Sequence, residues 1–506
     1  MFELLGTGLI EILQVKYLVP LFIGTLIGVV GGALPGITIT MTVIVVLPFT
    51  FGLEPLQGLA CMIGVYVGGE TGGLITSCLL GIPGKPSAVA TTFDGFPMAR
   101  NGEPGRALWI GIWASMLGGL LGAVVLVAAT GPLAELALKF GPWEYFALFV
   151  LALSMVAGLV ESSLTKGLLS GAIGCVVTVL GNDPVMGQPR LTLGIGWLEG
   201  GVPFLPVLIG VFAFSQIMGE LERFSPRVDS ALNTAINLTV SHAKVLWEIL
   251  SRPVLLLWST FIGLAIGVLP AIGGSAANML AYDQAKKFSA RPEKFGTGIP
   301  EGIIASEASN NANVAGSLVT IMAFGIPGDA VTAVMLGALT IHGIQSGPLF
   351  ISQNATLAYG MFAAYILAHP LVLILLLLGV RWVMRIVIVP KSILFPVVLV
   401  LCVVGAYALG NSMATVYVLF ISGIGGYLMV KFGLPLAPFI LGVILGDQIE
   451  INLVRSLMTD SNLWLFVTRP ISALLLGAAL ASIALSLWQH RRMQKKSAVA
   501  GSAADF

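Results

Sequence analysis

Aliphatic runs follow one another along most of this chain, broken by glycine, proline and a few polar residues. "LGGLLGAVVLVAATGPLAELAL" (117–138), "YFALFVLALSMVAGLV" (145–160) and "YILAHPLVLILLLLGVRWV" (365–383) approach the length needed to cross the hydrocarbon core. Further apolar segments recur near 17–49, 56–80, 167–181, 203–219, 253–283, 303–326, 330–351, 393–409, 414–430, 435–446 and 464–488. Several are too short or too interrupted for a simple span. The pattern predicts an all-α polytopic membrane protein with about twelve transmembrane helices plus re-entrant or broken helices. The longest polar stretch, "ELERFSPRVDSALNTAINLTVSHAKVLWEILSR" (220–252), divides the chain. The expected organisation is a first membrane half (1–222), a polar linker (223–252), a second membrane half (253–488) and a tail (489–506).

Composition supports the membrane reading. Of 506 residues, 57% are hydrophobic and 10% charged, with a mean hydropathy of +0.98; soluble domains carry roughly 25% charged residues. A net charge of +1 gives no basis for a nucleic-acid partner. Cys61, Cys78, Cys175 and Cys402 lie far apart in apolar segments, without zinc or disulfide spacing. The opening "MFELLGTGLIEILQVK" lacks a basic n-region and reads as an interfacial amphipathic helix. The tail from His490 reads as disordered, and Arg491, Arg492, Lys495 and Lys496 place it in the cytoplasm.

The two halves share a repeat. "TLIGVVGGALPGI" (25–37) aligns with "TFIGLAIGVLPAI" (260–272), and "GGLITSCLLGIPG" (72–84) with "GSLVTIMAFGIPG" (316–328); each pair has seven identities in thirteen. The offset is 235 in the first block and 244 in the second, which puts nine extra residues between the blocks of half two, most simply in "QAKKFSARPEKFG". Such duplication is frequent in secondary transporters, whose substrate sites lie where repeats meet. Corresponding loops carry opposite charge character. Lys286, Lys287, Arg291 and Lys294 follow the first block only in half two, and Lys85, Arg100 and Arg106 follow "GIPG" only in half one. That bias favours inverted repeats. Against it, Arg223, Arg227, Lys244 and Arg252 make the linker look cytoplasmic too, and the span count gives each half the wrong parity.

Non-helical backbone survives at membrane depth only inside protein or beside a wet cavity. Four breaks meet that description: "LPGITIT" with Pro35, Gly36, Thr38 and Thr40; "GIPGKPS" with Gly81, Pro83, Gly84, Lys85 and Ser87; "LPAIGGS" with Pro270, Gly273, Gly274 and Ser275; and "GIPGDA" with Gly325, Pro327 and Gly328. Pro83 and Pro327 suit the first turn of a new helix, whose N-terminus presents N–H donors and partial positive charge to an anion such as a carboxylate. Unwound carbonyls and Asp329 suit a cation. Kinking for packing is the alternative for any single break; four breaks, paired by a repeat, favour a substrate site.

"SEASNNANVAG" (306–316) is the other unusual stretch. Asn310, Asn311, Asn313 and Glu307 are expensive in hydrocarbon and suit a cavity or a hairpin tip; the alternative is a solvated loop. Its counterpart "YVGGETGG" (66–73) keeps one acid, Glu70. His342 and His369 read as packing or interfacial residues, Glu161 as a span end, and Asp447 and Glu450 as helix-end residues. No HExxH, GxSxG, Walker A or aspartate-rich motif is present, so the chain does not read as an enzyme.

"GALPGITITM", "GIPGKPSAVATTFDGFPMARNGEPGRAL", "PEGIIASEASNNANVAGSLV" and "FGIPGDAVTAVMLGALTIHGIQSGPLF" resemble the large membrane subunit of tripartite tricarboxylate transporters, the TctA family, from about residue 18 to 488. Pro270-Ala271, where half one has Pro35-Gly36, is a small departure. The resemblance implies a bacterial inner-membrane secondary transporter. It implies two partners: a small four-helix membrane subunit and a periplasmic solute-binding protein that captures an organic acid anion such as citrate. It also implies no cofactor, with a sodium ion or proton as coupling ion. The residues put forward for that ion are Glu70, Glu307 and Asp329.

Overall fold

The computed structural model describes residues 2–158, 163–222, 237–270, 272–386 and 389–504, with side chains described to residue 488. Glu161, Arg223 and Arg227 lie outside the described residues, as does the tail's side-chain chemistry. Backbone that must satisfy its own polar groups becomes helical. The chain runs through α1 (Phe2–Ile12), α2 (Val15–Ala33), α3 (Ile39–Val46), α4 (Pro55–Leu80), α5 (Val89–Arg100) and α6 (Pro104–Ala137). Then come α7 (Pro142–Gly158), α8 (Leu164–Thr178), α9 (Phe204–Ile209), α10 (Ser215–Glu222), α11 (His242–Leu250), α12 (Pro253–Val268), α13 (Gly273–Phe288) and α14 (Pro300–Phe324). The last group is α15 (Ala330–Ile341), α16 (Pro348–Gln353), α17 (Ala355–Ile386), α18 (Lys391–Gly410), α19 (Met413–Lys431), α20 (Leu436–Thr459), α21 (Leu465–Thr468) and α22 (Pro470–Ala504). A two-residue antiparallel ladder, Gly181–Asn182 with Pro189–Arg190, is the only strand pairing among the described residues.

Proline opens α4, α6, α12 and α14 at a position whose N–H has no helical partner. Gly81 and Gly325 close α4 and α14 in the left-handed conformation, φ 69° and 72°, which a residue with a Cβ adopts only at a cost. The tail, expected to be disordered, continues α22 as helix to Ala504.

Among the described residues nine helices are long and apolar enough to cross a membrane, or ten if α11 and α12, bent by 77°, count as one broken span. About twelve were expected. The difference lies in the interrupted segments: α3 and α15 are short apolar helices that follow breaks, and α14 is long but carries too many polar residues to resemble lipid. Large apolar side chains such as Leu378, Val254, Val400, Ile421 and Leu474 project from the outer surface, as a lipid-facing helix requires.

The chain folds as two compact units. The first comprises Met1–Leu138 and Phe212–Met413, the second Lys139–Val211 and Ala414–Phe506. Each sequence half therefore contributes its leading part to the first unit and a later stretch (139–211 or 414–488) to the second, while 212–222 and the described linker residues 237–252 belong to the first. In the second unit α20 packs on α7 and α8, and α22 on α7. Gly174 lies against Phe439 and Gly442 against Gly171, so the backbones of α8 and α20 touch. Arg190 pairs with Glu450, and buried Glu144 accepts from Arg469 Nε at 2.6 Å.

In the first unit the repeat is visible as packing. Gly24, Gly28 and Gly32 of α2 lie on the backbone of Cys61, Val65 and Gly69 in α4, and Gly68 and Gly72 of α4 lie on Thr25 and Val29. Small residues at this spacing let helix axes approach closely in a lipid solvent. The second repeat makes the matching contacts: Gly263 and Gly267 of α12 lie on Ser309 and Asn313 of α14, and Gly316 lies on Leu264. Contacts between the repeats are reciprocal as well. The connection before α5 packs on α13, and α15 packs on α3; α6 packs on α14, and α17 on α4.

Candidate functional site

All four breaks fall in the first unit. After "GIPG" the helices resume later than the prolines suggest. A 3-10 turn begins at Pro86, and α15 begins at Ala330 with Asp329 as N-cap. Pro83 and Pro327 are therefore not first-turn residues. They belong to non-helical connections whose register is set by packing: a methyl group at Gly84 would lie 2.5 Å from the Gly32 carbonyl oxygen, and one at Gly328 2.6 Å from that of Gly267. These equivalent glycines bring the connection onto the helix of its own repeat. Pro35 and Gly36 lie between α2 and α3, where Gly36 adopts φ 91° and accepts from Gln216 Nε2 at 3.1 Å. Thr38 caps α3 by accepting from Met41 N–H. Thr40 is buried.

The stretch 306–316 is neither hairpin tip nor solvated loop. It forms the middle of α14, buried at every position from Gly302 to Ala323. Asparagine and serine survive there because many of their polar atoms find partners, Ser306 and Ser309 within α14 and Asn310 and Asn311 partly on α4. Asn311 Oδ1 accepts from Thr71 Oγ1 at 3.2 Å, and Asn311 Nδ2 donates to the Glu307 carbonyl at 3.2 Å. Tyr365 donates to the Asn311 carbonyl at 3.0 Å. Asn310 Nδ2 donates to the Glu70 carbonyl at 3.3 Å.

Three carboxylates, Glu307 on this helix and Glu70 and Asp329 near it, have different surroundings; Glu70 and Glu307 are buried and Asp329 is half-buried. Glu70 pairs with the Lys85 ammonium, which is itself buried and also donates to the Glu70 carbonyl at 2.6 Å; Ser87 Oγ donates to Glu70 Oε2 at 3.1 Å. Gly73 makes room for the lysine stem, since a methyl group there would lie 2.7 Å from Lys85 Cγ. Asp329, at the repeat position equivalent to Lys85, caps α15 by accepting from Thr332 N–H at 2.8 Å. It also accepts from Tyr66 of the first repeat and from Ser317. Glu307 accepts from Thr91 Oγ1 at 2.5 Å and from Ser115 Oγ at 2.9 Å, and no lysine or arginine pairs with it among the described residues.

Beside the Glu70 group lies the N-terminal end of α13. Gly273 is in the left-handed region (φ 72°), and a methyl group at Gly274 would lie 2.8 Å from Asn310 Oδ1 and 3.2 Å from Ser87 Cβ. The buried Oδ1 atoms of Asn310, Asn313 and Asn278 have no protein partner. Buried polar atoms are normally satisfied, so each of these acceptors calls for a donor, cation or water; of the three, Asn310 Oδ1 is the one shown against Gly274. The N-terminus of α13 supplies partial positive charge beside it. The structure thus brings together Gly273, Gly274, Ser87, Asn310, Asn313 and the Glu70–Lys85 pair. It holds Asp329 at a helix cap, and gives Gly81, Gly84, Gly325 and Gly328 turn and packing roles. Ser275 is on the first turn of α13; Pro270 precedes it, and Ala271 lies outside the described residues.

Sequence reading missed Tyr66, Thr91, Ser115 and Asn278. Ordinary residues within helices, they join the site through partners 263, 216 and 192 residues away for the first three. It also missed Asp94, fully buried, whose carboxylate accepts from the N–H groups of Gly296, Gly298 and Ile299 and from Tyr282. The aspartate anchors the turn leading into α14 on α5. His369 is buried edge-on to Tyr365 at 4.8 Å, and His342 caps the end of α15.

A family profile described as "Tripartite tricarboxylate transporter TctA family" matches residues 18–441. An Agrobacterium vitis protein, the "Uncharacterized 52.8 kDa protein in TAR-I ttuC' 3'region", is 34% identical over 475 residues, covering 94% of each chain. A second from that organism, the "Uncharacterized protein in TAR-II ttuC' 3'region", is 34% identical over 234 residues, 46% of this chain and 97% of its own length. No solved structure matches. The polytopic helical fold, the repeated breaks and a profile spanning most of the sequence agree: the chain belongs to the tripartite tricarboxylate transporter TctA family.

Proposed function

We propose that this chain is the large transmembrane subunit of a binding-protein-dependent secondary transporter. It imports tricarboxylates or related organic acid anions across the bacterial inner membrane, driven by a gradient of sodium ions or protons. A small four-helix membrane subunit and a periplasmic solute-binding protein complete the system. Family membership supports this reading. The observation that supports a location is the N-terminal end of α13 at Gly273 and Gly274, packed beside Ser87 and Asn310, where N–H donors suit the anion and the unpartnered Asn310 Oδ1 suits a ligand hydroxyl or water. The anion rests against Gly273, Gly274, Ser275 and Ser87, with Asn310 and Asn313 beside it. Coupling acts through the acidic group Glu70, Glu307 and Asp329. Alternating access follows when one group of helices rocks against the rest around this site.

The test is uptake of labelled citrate and a panel of dicarboxylates into liposomes holding this chain and the small subunit. Each anion is run with and without the binding protein, and with and without an inward sodium or proton gradient. Accumulation that needs both additions supports the proposal. Accumulation without the binding protein replaces it with a stand-alone carrier, and equilibration indifferent to the gradients replaces it with a passive anion channel.

A further inference from the structure

Among the acidic residues of the site, the structure assigns the coupling role to Glu307, with a proton as the cation it carries. The assignment rests on the transport reading above and deepens it. It begins from the charge on each carboxylate. Glu70 is offset by Lys85 within the same repeat. Asp329 caps α15, whose N–H groups and dipole offset an anion, and Tyr66 donates to it. Among the described residues Glu307 makes no ion pair of its own and caps no helix; the Lys85 charge within its reach is already paired with Glu70, whose carboxylate also acts on Glu307. Glu307 sits in the middle of α14 with no exposed surface, where a bare carboxylate without a paired counter-charge is costly.

Its partners fit a proton better than a metal cation. Thr91 Oγ1 and Ser115 Oγ stand 2.5 and 2.9 Å from the two carboxyl oxygens, distances bridged by one hydrogen. A hard cation collects several oxygens at about 2.0–2.6 Å each and needs space between them. The stem of Glu307 is packed instead, since a methyl group at Gly111 of α6 would meet Leu74 at 3.3 Å and Glu307 Cγ at 3.6 Å. A hydroxyl both donates and accepts, so Thr91 and Ser115 serve the bare and the protonated carboxyl with the same geometry. They come from α5 and α6, whereas Glu307 is on α14; the proton therefore sits on a bond between the two repeats.

The other titratable groups around α14 are engaged elsewhere. Lys85 and Glu70 hold each other, and Asp94 of α5 is occupied by the 296–299 turn and by Tyr282 of α13. Cys78 of α4 lies near the Ala107 carbonyl. Tyr365 of α17 donates to the Asn311 carbonyl, and His369 is stacked edge-on against Tyr365. Arg106 of α6 pairs with Glu103 and Glu248. In the transport step Glu307 takes one proton from the outer solution as the anion binds, forming a carboxyl O–H hydrogen-bonded to a hydroxyl. It returns that proton to the inner solution as the anion leaves, so each cycle moves one proton with each anion.

Two measurements test this. Infrared spectroscopy of the purified full chain at neutral pH is expected to show a protonated-carboxyl carbonyl band that disappears in Glu307→Gln and shifts in Thr91→Val and Ser115→Ala. In liposomes with the small subunit, the binding protein and a trapped pH dye, citrate entry is expected to acidify the lumen. Glu307→Gln is expected to reduce uptake driven by a proton gradient to that of protein-free liposomes. A band that survives Glu307→Gln, or citrate accumulation driven by sodium without acidification, overturns the assignment. Failure of every anion to enter under any gradient overturns the transport reading instead, whatever the infrared band does.

Discussion

The Lys85 ammonium and the Glu70 carboxylate form an ion pair that is buried on both sides, with side-chain exposures of 1% and 7%. Both belong to the first repeat; at the position equivalent to Lys85 the second repeat has Asp329. The repeats thus share a backbone path and diverge in charge at one register.

Removing one member of that pair leaves an uncompensated buried charge. Lys85→Met or Glu70→Gln alone is expected to destabilise the protein by about 3–5 kcal/mol, while the double variant recovers most of the loss. Thermal unfolding of the four proteins in detergent measures the coupling. Additive losses would mean the two groups are independent.

Asp329 acts as a cap before anything else. Asp329→Ala is expected to cost about 1–2 kcal/mol from the N-cap alone, and Asp329→Asn, which keeps an acceptor, much less. Tyr66→Phe should weaken the same contact without touching the cap. Unfolding temperatures of the three variants check the order.

Asparagines of one helix should behave differently. Asn311 has partners at both amide ends, so Asn311→Ala orphans buried groups and should cost about 1–3 kcal/mol. Asn313 has an unpartnered Oδ1, so Asn313→Ala should leave stability within about 1 kcal/mol of the parent and act on uptake. Parallel stability and uptake assays separate the two; equal stability losses would remove Asn313 from the site.

Asp94 holds three consecutive-turn N–H groups and a tyrosine hydroxyl. Asp94→Ala is expected to destabilise by about 1–3 kcal/mol and to accelerate amide exchange at Gly296, Gly298 and Ile299 ahead of the rest of the second repeat. Hydrogen exchange with mass spectrometry reads this; unchanged protection there would show that the turn holds itself.

Gly84 and Gly328 face backbone, so their replacement by valine tests packing. Overpacking of this kind costs typically about 1–3 kcal/mol and occasionally more. Gly84→Val and Gly328→Val should lower the yield of monodisperse protein, and any loss of uptake is to be read against that yield.

By itself the sequence determined the helical membrane class, the duplication and the positions of the breaks. These depend on local chemistry: apolar runs must be helical in lipid, and Gly-Ile-Pro-Gly stops a helix wherever it stands. The matched glycines Gly28 with Gly263 and Gly84 with Gly328 follow from the same alignment, because equal local sequence gives equal local packing. Tertiary structure decided the rest. Polar content suggested a tip or loop for Asn310, Asn311 and Asn313, and only the facing helices show that an interior helix can afford them. Pro83 and Pro327 matched a first-turn pattern, but the register was set by glycines meeting carbonyls of another helix. Three carboxylates looked alike in the chain; Lys85, a helix end and two hydroxyls more than 190 residues away make them different. Partners that far apart leave no periodicity or spacing to read, so the charge state of the site is settled by folding alone.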